Sequence, residues 1–320
     1  MPIFVTGANG FIGQRVVSHP TAQAIGVRAG VRAAAREGGT PLVAAPASNQ
    51  YPGWELRLDA LPWRDLCGCE AVIHCAALAH SSGHTPRDYE EINLQGSIRV
   101  AEAAIRAGVK RLVFVSSAKV FGDHSGPSPF GPQSVPAPNG PYAQSKFLAE
   151  QALQALAART GLDLVIVRPP LVHGPGVCAN LLRLLRLVER GMPLPLAGVR
   201  SRRSLVGVAN LADLLLRAAL HPRAPGQILT VSDGEDPTVP ALVRMLGQAL
   251  ERPARLFAVP EPLLGGIRRL AQPRLDLGPL LDPLQVDIGA TRALLDWQPP
   301  VPLEQGLDEM ARWYRRSVRP

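Results

Sequence analysis

The feature that most constrains the fold is a glycine-rich run near the start, Val5-Thr6-Gly7-Ala8-Asn9-Gly10-Phe11-Ile12-Gly13. It follows a short apolar segment and opens a stretch predicted to be helical. Gly7 permits a tight turn, Gly10 lets the backbone approach an anion, and Gly13 lets a helix pack closely on a strand. The free N–H groups and the dipole of a helix N-terminus favour a pyrophosphate. This strand–glycine–helix order predicts a dinucleotide-binding βαβ unit.

A basic residue follows the second predicted strand, where chains that prefer NAD carry an Asp or Glu on the ribose hydroxyls. Here the position is Arg32, with Arg36 one helical turn later. Because an arginine can meet a 2′-phosphate, the sequence favours NADP(H), with NAD(H) as the alternative. Asp59, after the third strand, is expected at the adenine edge, and Ala76 and Ala77, after the fourth, along the dinucleotide.

The first half of the chain alternates short apolar strands with helical stretches, which is typical of a parallel sheet covered on both faces. The predicted strands are residues 3–6, 25–31, 54–58, 71–74, 111–116 and 163–167. The predicted helices are residues 10–18, 61–66, 89–107 and 141–160. We therefore predict an α/β fold, a Rossmann-like doubly wound parallel sheet with a smaller mixed α/β C-terminal lobe.

The composition changes after the first half, where prolines and glycines crowd residues 169–176. We expect residues 1–168 to form the dinucleotide-binding domain, which also receives residues 204–232. Residues 169–320 are expected to form mainly a substrate-binding lobe, with a cleft between the two. The proline-rich stretch 126–141 lies inside the first half and is expected to form a loop over the site.

Three polar side chains are predicted to meet at the carboxyl edge of the sheet. Ser117 follows the fifth strand, and Tyr142 and Lys146 lie four residues apart at the start of a helix, hence on one face. An ammonium beside a phenol favours the phenolate, so we expect the pKa of Tyr142 to move down toward working pH. The pattern predicts acid–base catalysis by Tyr142, with Ser117 orienting the same substrate oxygen.

Segments along nearly the whole chain resemble one family, the extended short-chain dehydrogenases/reductases, in its nucleotide-sugar epimerase/dehydratase/ketoreductase branch. The matching segments are residues 6–13, His74-Cys75-Ala76-Ala77, Asn93-Leu94-Gln95-Gly96-Ser97, residues 116–122, residues 142–146, residues 168–176, residues 203–211, Leu295-Asp296-Trp297-Gln298-Pro299-Pro300 and residues 304–307. The resemblance is specific for family and fold, and much less so for the reaction.

The resemblance implies a role for each matching residue. Tyr142 would be the acid/base, Lys146 its partner and ribose anchor, and Ser117 the orienting hydroxyl. Asn93 would mark a helix kink and a water near the lysine. The residues expected at the cofactor are Gly7, Asn9, Gly10, Phe11, Ile12, Gly13, Arg32, Asp59, Ala76, Ala77, Asn93, Tyr142, Lys146 and Pro169.

The resemblance also implies a nucleotide-sugar substrate. Asn180 and Arg203 would bind its diphosphate, assisted by Arg200 and Arg202, and Lys119, two residues beyond Ser117, is expected to face the substrate. Two positions depart from the family pattern and make the site more apolar. These are Phe121 in place of a tyrosine and Leu205 in place of an aromatic residue.

Within the family we expect reduction of a UDP-4-keto-6-deoxy-N-acetylhexosamine at C4. The alternative is a UDP-hexose or UDP-N-acetylhexosamine 4-epimerase with retained NAD. A dehydratase of this family carries an Asp-Glu pair where this chain has Ala118-Lys119, which argues against that reaction. A catalytically silent dinucleotide-binding module is a third reading, and the presence of both Tyr142 and Lys146 argues against it.

Charge and hydropathy limit the other classes of function. The net charge is +8, but the basic residues are scattered and aromatic residues are only 5%, so we expect no nucleic-acid partner. No apolar run reaches the roughly 18 residues that span a bilayer, so we expect no membrane insertion. The chain enters a strand at once without a signal segment, which predicts a cytoplasmic protein. The family resemblance implies a homodimer.

The cysteines and histidines are expected to serve no metal site. Cys67, Cys69, His74 and Cys75 are close in sequence, but His74 and Cys75 end a buried strand and point to opposite faces. His80, His124 and His173 are expected in loops near the cleft. Exposure to solvent is the favoured interpretation, and contact with the sugar is the alternative.

Overall fold

The computed structural model describes residues 2–30, 63–79, 83–259 and 282–317. Their strands are β1 (Ile3–Thr6), β2 (Val27–Gly30), β3 (Ala71–His74), β4 (Arg111–Val115), β5 (Asp163–Arg168), β6 (Leu171–His173), β7 (Leu205–Gly207) and β8 (Ile228–Thr230). In this part of the chain, six parallel strands form one sheet in the order β2-β1-β3-β4-β5-β8. Strands β6 and β7 form a separate parallel pair.

Helices cover both faces of the sheet and build a second lobe beside it. They are α1 (Phe11–Val17), α2 (Pro20–Ile25), α3 (Pro86–Tyr89), α4 (Gly96–Arg106), α5 (Gly140–Thr160), α6 (Ala179–Glu189), α7 (Val208–Leu220), α8 (Val239–Ala249), α9 (Gly289–Leu295) and α10 (Leu303–Ser317). Short 3-10 turns span Trp63–Leu66 and Ala118–Phe121.

Alternating side chains of the strands enter two different hydrophobic cores. Ile3 and Val5 of β1 lie in the core that also contains residues of α1 and α7. Phe4 of β1 and Val72 of β3 lie in the opposite core, with residues of α4 and α5. Because successive strand residues point to opposite faces, continuous apolar strands such as Ala71–His74 can be buried on both sides.

A third core lies in the second lobe, where α6, α8 and α10 pack together. It is built from leucines and valines such as Leu184, Val243 and Leu307. Phe11, at the start of α1, packs against this core from the sheet side. The beginning of α1 is therefore a point at which the two lobes touch.

The doubly wound parallel sheet predicted from the sequence is confirmed. The predicted strand 54–58 lies outside the described residues. Residues 204–232 contribute α7 and β8 to the main sheet and its cover, while the division at residue 168 stays a prediction. None of the described helices is both long and apolar enough to cross a membrane.

Two predicted elements differ from the structure. Residue 25 was expected in a strand, but Ile25 ends α2, because Gly26 adopts a φ of 84° that stops the helix. The helix expected over 89–107 is interrupted by one π-helical turn, Glu90–Gln95, between α3 and α4. Asn93 lies in this turn and is fully buried.

A buried ion pair joins the sheet to α5. The guanidinium of Arg168 donates two hydrogen bonds to the carboxylate of Glu150, at 3.0 and 2.5 Å, and both side chains are almost inaccessible to solvent. The guanidinium also lies over the ring of Phe121, with its central carbon 4.5 Å from the ring centroid. Removing one partner would leave the other charge buried and uncompensated.

We predict that Glu150→Ala destabilises the protein by about 3–5 kcal/mol, because Arg168 loses its buried partner. Urea denaturation followed by circular dichroism measures the free energy of unfolding. The matched control is Glu251→Ala, which breaks the solvent-exposed pair with Arg315 and should leave the unfolding midpoint unchanged. Equal small effects of both changes would contradict a role of the buried pair in stability.

Candidate active site

The turn between β1 and α1 brings glycines against neighbouring backbone. Gly7 has a φ of 65°, and a Cβ there would lie 2.8 Å from the backbone nitrogen of Ala76. A Cβ on Gly13 would lie 2.1 Å from the carbonyl oxygen of Gly7. A side chain at either position would push β1, α1 and the end of β3 apart. The glycines therefore hold the N-terminus of α1 at the carboxyl edge of the sheet.

This helix N-terminus fits a dinucleotide diphosphate. Gly10 directly precedes α1, and no side chain among the described residues caps the helix. The N–H groups of the first turn can therefore bind an anion. No Cβ projects from Gly10 to keep a ligand away from the backbone. Asn9, Phe11 and Ile12 belong to the same turn and are partly buried.

A buried hydrogen-bond network links this turn to the end of β3. The hydroxyl of Thr6 lies 2.6 Å from Nδ1 of His74 and accepts a hydrogen bond from the backbone N–H of Ala76. Nε2 of His74 lies 3.0 Å from the hydroxyl of Ser97. Burial lowers the pKa of His74 to about 3, with the charge of Lys146 acting in the same direction. His74 is therefore a neutral link between elements.

Asn93 continues the network toward α5. Its side chain accepts a hydrogen bond from the backbone N–H of Leu78, at 2.7 Å, and donates to the carbonyl of Leu78 and to the hydroxyl of Ser145. Ser145 in turn donates to the carbonyl of Tyr142. The π-helical turn thus fixes both the segment after β3 and the first turn of α5.

Ser117, Tyr142 and Lys146 come from two elements at the same edge. Ser117 ends the extended segment after β4, and its hydroxyl accepts a hydrogen bond from the backbone N–H of Lys119 at 3.2 Å. The hydroxyls of Ser117 and Tyr142 share a hydrogen bond. Lys146 is buried, and its ammonium lies 4.0 Å from the centroid of the Phe114 ring.

Burial dominates the titration of this group of side chains. It raises the pKa of Tyr142, while the hydrogen bond with Ser117 lowers it and Tyr89 raises it further. Burial also lowers the pKa of Lys146 to about 7, against the opposing charges of Glu150 and Cys75. The sequence-based prediction that the pKa of Tyr142 is lowered is therefore wrong for the protein without bound ligands. The physical reason is that desolvation of the buried phenol outweighs the hydrogen bond with Ser117, which favours the phenolate.

Lys119 lies beside this group in a second polar cluster. Its ammonium forms an ion pair with Asp123 at 2.6 Å, and the amide of Asn139 donates to the other carboxylate oxygen of Asp123. Lys119 and Asp123 are both partly exposed. The cluster joins the turn after β4 to the proline-rich loop that precedes α5.

The second lobe contributes Arg203 and Asn180. Arg203 is buried, and its guanidinium donates to the carbonyl of Asp282 at 2.6 Å, while Nε has no partner among the described residues. Burial lowers its pKa to about 10, with Asp282 and Asp123 opposing the shift. Asn180 lies in the first turn of α6 and is partly exposed.

The side of the site near Ser117 is apolar. Phe121 is buried and stacks on Phe130 of the proline-rich loop, with ring centroids 5.0 Å apart. Leu205, the second expected departure, is fully buried in the core of the second lobe and presents no surface. Of the two positions that depart from the family pattern, only Phe121 therefore lies next to the polar groups of the site.

Comparisons with known proteins agree with this geometry. A model of the NAD dependent epimerase/dehydratase family matches residues 3–231. The chain is 36% identical to a protein of Vibrio cholerae named UDP-glucose 4-epimerase, over 98% of this chain and 96% of that protein. It is 30% identical to the dihydroflavonol 4-reductase of Hordeum vulgare, over 77% of this chain and 74% of that protein.

The chain belongs to the NAD-dependent epimerase/dehydratase family. It is thus an enzyme of the extended short-chain dehydrogenase/reductase class, as the sequence indicated. The fold agrees with that of a UDP-glucose 4-epimerase from Thermotoga maritima solved with UDP-glucose, at a TM-score of 0.75 and 22% identity over the full length of both chains.

The structure brings most of the predicted site residues of this family member to one edge of the sheet. The glycine turn, Ala76 and Ala77, Asn93, Ser117, Tyr142 and Lys146 all lie there, and the carbonyl of Pro169 accepts a hydrogen bond from Ala118 beside them. Arg32, Arg36 and Asp59 lie outside the described residues. The roles of all these side chains in the family reaction stay predictions.

One histidine does not lie where the sequence pattern predicts. His173 was expected in an exposed loop, but it ends β6 and is fully buried. Its Nε2 lies 2.6 Å from the carboxylate of Asp233. The partner is 60 residues away along the chain, so no local pattern could reveal the pair. A histidine directly after two apolar strand residues was the only hint of burial.

The lowered pKa of Lys146 predicts a pH-dependent stability for the free enzyme. Between pH 7 and 10.5 the unfolded chain holds a proton on this lysine that the folded chain has lost. The free energy of unfolding should therefore rise with pH above 7, by about 1.4 kcal/mol per pH unit at most. We expect Lys146→Met to remove this rise in thermal unfolding measured from pH 7 to 8.5.

Measurements stop at pH 8.5 to limit the contribution of Cys75. Burial raises the pKa of its thiol to about 12, so its ionisation in the unfolded chain lowers the free energy of unfolding at higher pH. Lys110→Met is the matched control, since Lys110 is exposed, and it should leave the slope unchanged. Equal slopes in the wild type and Lys146→Met would show that the ammonium keeps its ordinary pKa in the folded protein.

Proposed function

We propose that the enzyme reduces the C4 ketone of a UDP-4-keto-6-deoxy-N-acetylhexosamine with NADPH. The observation that carries this proposal is the hydrogen-bonded pair of Ser117 and Tyr142, beside Lys146, at the sheet edge that also holds the glycine turn. In this proposal a carbonyl oxygen is held by two hydroxyls next to a helix N-terminus suited to a diphosphate.

Tyr142 would donate its proton to the ketone oxygen, which becomes the C4 hydroxyl. The raised pKa of its phenol favours the protonated form that this step needs. Ser117 would hold the same oxygen through its hydroxyl and so stabilise developing negative charge. Lys146, with a pKa of about 7, is suited to restoring the proton on Tyr142 after each turnover.

The N-terminus of α1, with Gly7, Gly10 and Gly13, would hold the diphosphate of the cofactor. When bound, the nicotinamide supplies the hydride. Arg32, at the position after the second strand, supports NADPH over NADH because a guanidinium can pair with a 2′-phosphate. Asn93 would keep the segment after β3 in place beside the cofactor, through its hydrogen bonds to Leu78.

The second lobe would recognise the nucleotide diphosphate. Arg203 is buried and holds one guanidinium nitrogen without a protein partner among the described residues, which suits a phosphate oxygen. Asn180 in the first turn of α6 and Arg202, next to Arg203, would assist. Lys119, held by Asp123, would contact the sugar near the reacting carbon.

A 4-epimerase is the second candidate, and the 36% identity to a protein named UDP-glucose 4-epimerase favours it. The same Tyr142 would then first remove the proton of a C4 hydroxyl and later return it. The two candidates differ in their demand for cofactor, because a reductase consumes NADPH while an epimerase retains its cofactor through each cycle.

We expect the purified protein to oxidise NADPH when UDP-4-keto-6-deoxy-N-acetylglucosamine is added, with one NADPH consumed per sugar. Absorbance at 340 nm follows the reaction. Tyr142→Phe keeps the ring against Tyr89 and should lower kcat by at least about 100-fold, because the proton donor is lost. Absence of NADPH oxidation by the wild type would contradict the proposed reductase activity. Interconversion of UDP-hexoses would then support a 4-epimerase.

Arg203→Lys should raise the KM for the nucleotide sugar by about 10-fold while kcat changes little, because a point charge replaces a planar fork on the diphosphate. Arg315→Lys is the matched control, since its side chain pairs with the exposed carboxylate of Glu251 and has no proposed role in ligand binding. Steady-state kinetics with varied sugar measures both. An unchanged KM in Arg203→Lys would argue against diphosphate binding by this residue.

The cytoplasmic location and the homodimer expected from the sequence remain part of this proposal. Size-exclusion chromatography with light scattering tests the second of these directly.

A further inference from the structure

The chain passes between the sheet lobe and the second lobe at four described places. We define these crossings as residues 169–178, 203–207, 231–238 and 297–303. The first connects β5 to α6, and the third connects β8 to α8. The second runs through β7 into α7, and the fourth leads from α9 to α10.

All four crossings meet at one buried polar cluster. His173 of the first crossing donates through Nε2 to the carboxylate of Asp233 in the third, at 2.6 Å, and neither side chain is accessible to solvent. The other carboxylate oxygen accepts from the backbone N–H of Gly207 in the second crossing, at 2.8 Å, and from Asn210, at 2.7 Å. Asn210 exchanges two hydrogen bonds with the backbone of Val301 in the fourth.

The ring of His173 is seated between two glycines. A Cβ on Gly306 of α10 would lie 2.6 Å from Cε1 of the ring, and a Cβ on Gly207 would lie 3.5 Å from Cε1 and Nε2. Nδ1 is buried without a partner among the described residues, so the proton that the ring must carry is on Nε2, facing Asp233. The ring also lines a small cavity of about 10 Å³, which is close to the minimum volume that holds one water molecule.

The cluster lies next to the chain that connects it to both binding regions. Directly after His173, Gly176 passes close to Phe11, since a Cβ on Gly176 would lie 3.3 Å from that ring. Phe11 begins α1 at the glycine turn, and the same crossing continues into α6, which carries Asn180. A shift of His173 would therefore move both the contact of Gly176 with Phe11, beside the glycine turn, and the start of α6.

We propose that His173 and Asp233 are a positioning pair that fixes the two lobes relative to each other, and with them the cofactor turn and the nucleotide-sugar subsite. The pair touches neither ligand and acts through the crossings. The part that concerns the sugar rests on the proposed function, whereas the part that concerns the cofactor rests only on the family.

The test compares His173→Leu, which removes the donor at similar volume, with His173→Gln, which can return an N–H to Asp233. Tyr314→Phe is the matched control, because it removes a partly buried 2.6 Å hydrogen bond to Glu189 that lies within the second lobe and spans no crossing. Three readouts are taken: hydrogen–deuterium exchange, the Kd of NADPH and of NADH by fluorescence, and steady-state kinetics.

In His173→Leu we expect faster exchange at all four crossings at once and a Kd for the cofactor raised by about 10-fold. The KM for the sugar should rise by a similar factor, with kcat within about 3-fold of wild type. His173→Gln should restore each value to within about 3-fold, and Tyr314→Phe should change none of them. If His173→Leu does not fold, Gly306→Ala is the second variant, because its added methyl group displaces the His173 ring. It should give the same increases in exchange rate, cofactor Kd and sugar KM.

Faster exchange confined to residues 171–176, or an unchanged cofactor Kd in a folded variant, would overturn the proposal. A failed rescue by His173→Gln together with an equal effect of Tyr314→Phe would also overturn it, because the effect would then be general destabilisation. The exchange and cofactor readouts decide the matter even if the wild type does not turn over the proposed sugar.

Discussion

The contact between the turn at Gly7 and the backbone of Ala76 sets the spacing on which the site depends. It holds the ends of β1 and β3 and the start of α1 at a separation that no side chain would permit. From there a buried path of hydrogen bonds passes through Thr6, His74 and Ser97 to the π-helical turn, and through Asn93 to α5. Because every member is buried, moving one would leave a polar group unsatisfied. Tyr142 is thus connected to the glycine turn through buried hydrogen bonds of the protein interior.

Three cations of the candidate site are held by burial or by an ion pair. Lys146 lies over an aromatic ring, Arg203 is enclosed in the second lobe, and Lys119 is paired with Asp123. Desolvation makes two of these cations easier to neutralise than in water, as the pKa values near 7 and 10 indicate. A dianionic ligand that entered the cleft would reverse part of this effect, since its charge favours the protonated forms. This electrostatic response supports the anionic ligands proposed above.

The sequence predicted the parts of the site that depend on local spacing. The glycine turn and the four-residue separation of Tyr142 and Lys146 are properties of one turn and one helix, so the pattern alone located them. The pair of His173 and Asp233 depends on crossings that only the assembled fold brings together, so the local pattern predicts an exposed His173 instead of a buried one. The direction of the Tyr142 pKa was also missed, because the degree of burial is set by packing from several elements. The fold class needed no such information, since apolar strands alternating with helices already specify it.

The π-helical turn changes which face each residue occupies along the helical segment from Pro86 to Arg106. A turn closed by bonds to the fifth residue holds one residue more than an α-helical turn, and each residue advances an α-helix by about 100°. Everything after Gln95 is therefore rotated by about that angle relative to an uninterrupted helix. Val100 and Ala104, which follow the π-helical turn, lie in the core between this helix and the sheet. A sequence alignment that treats the segment as a regular helix will assign the wrong face to one of its halves.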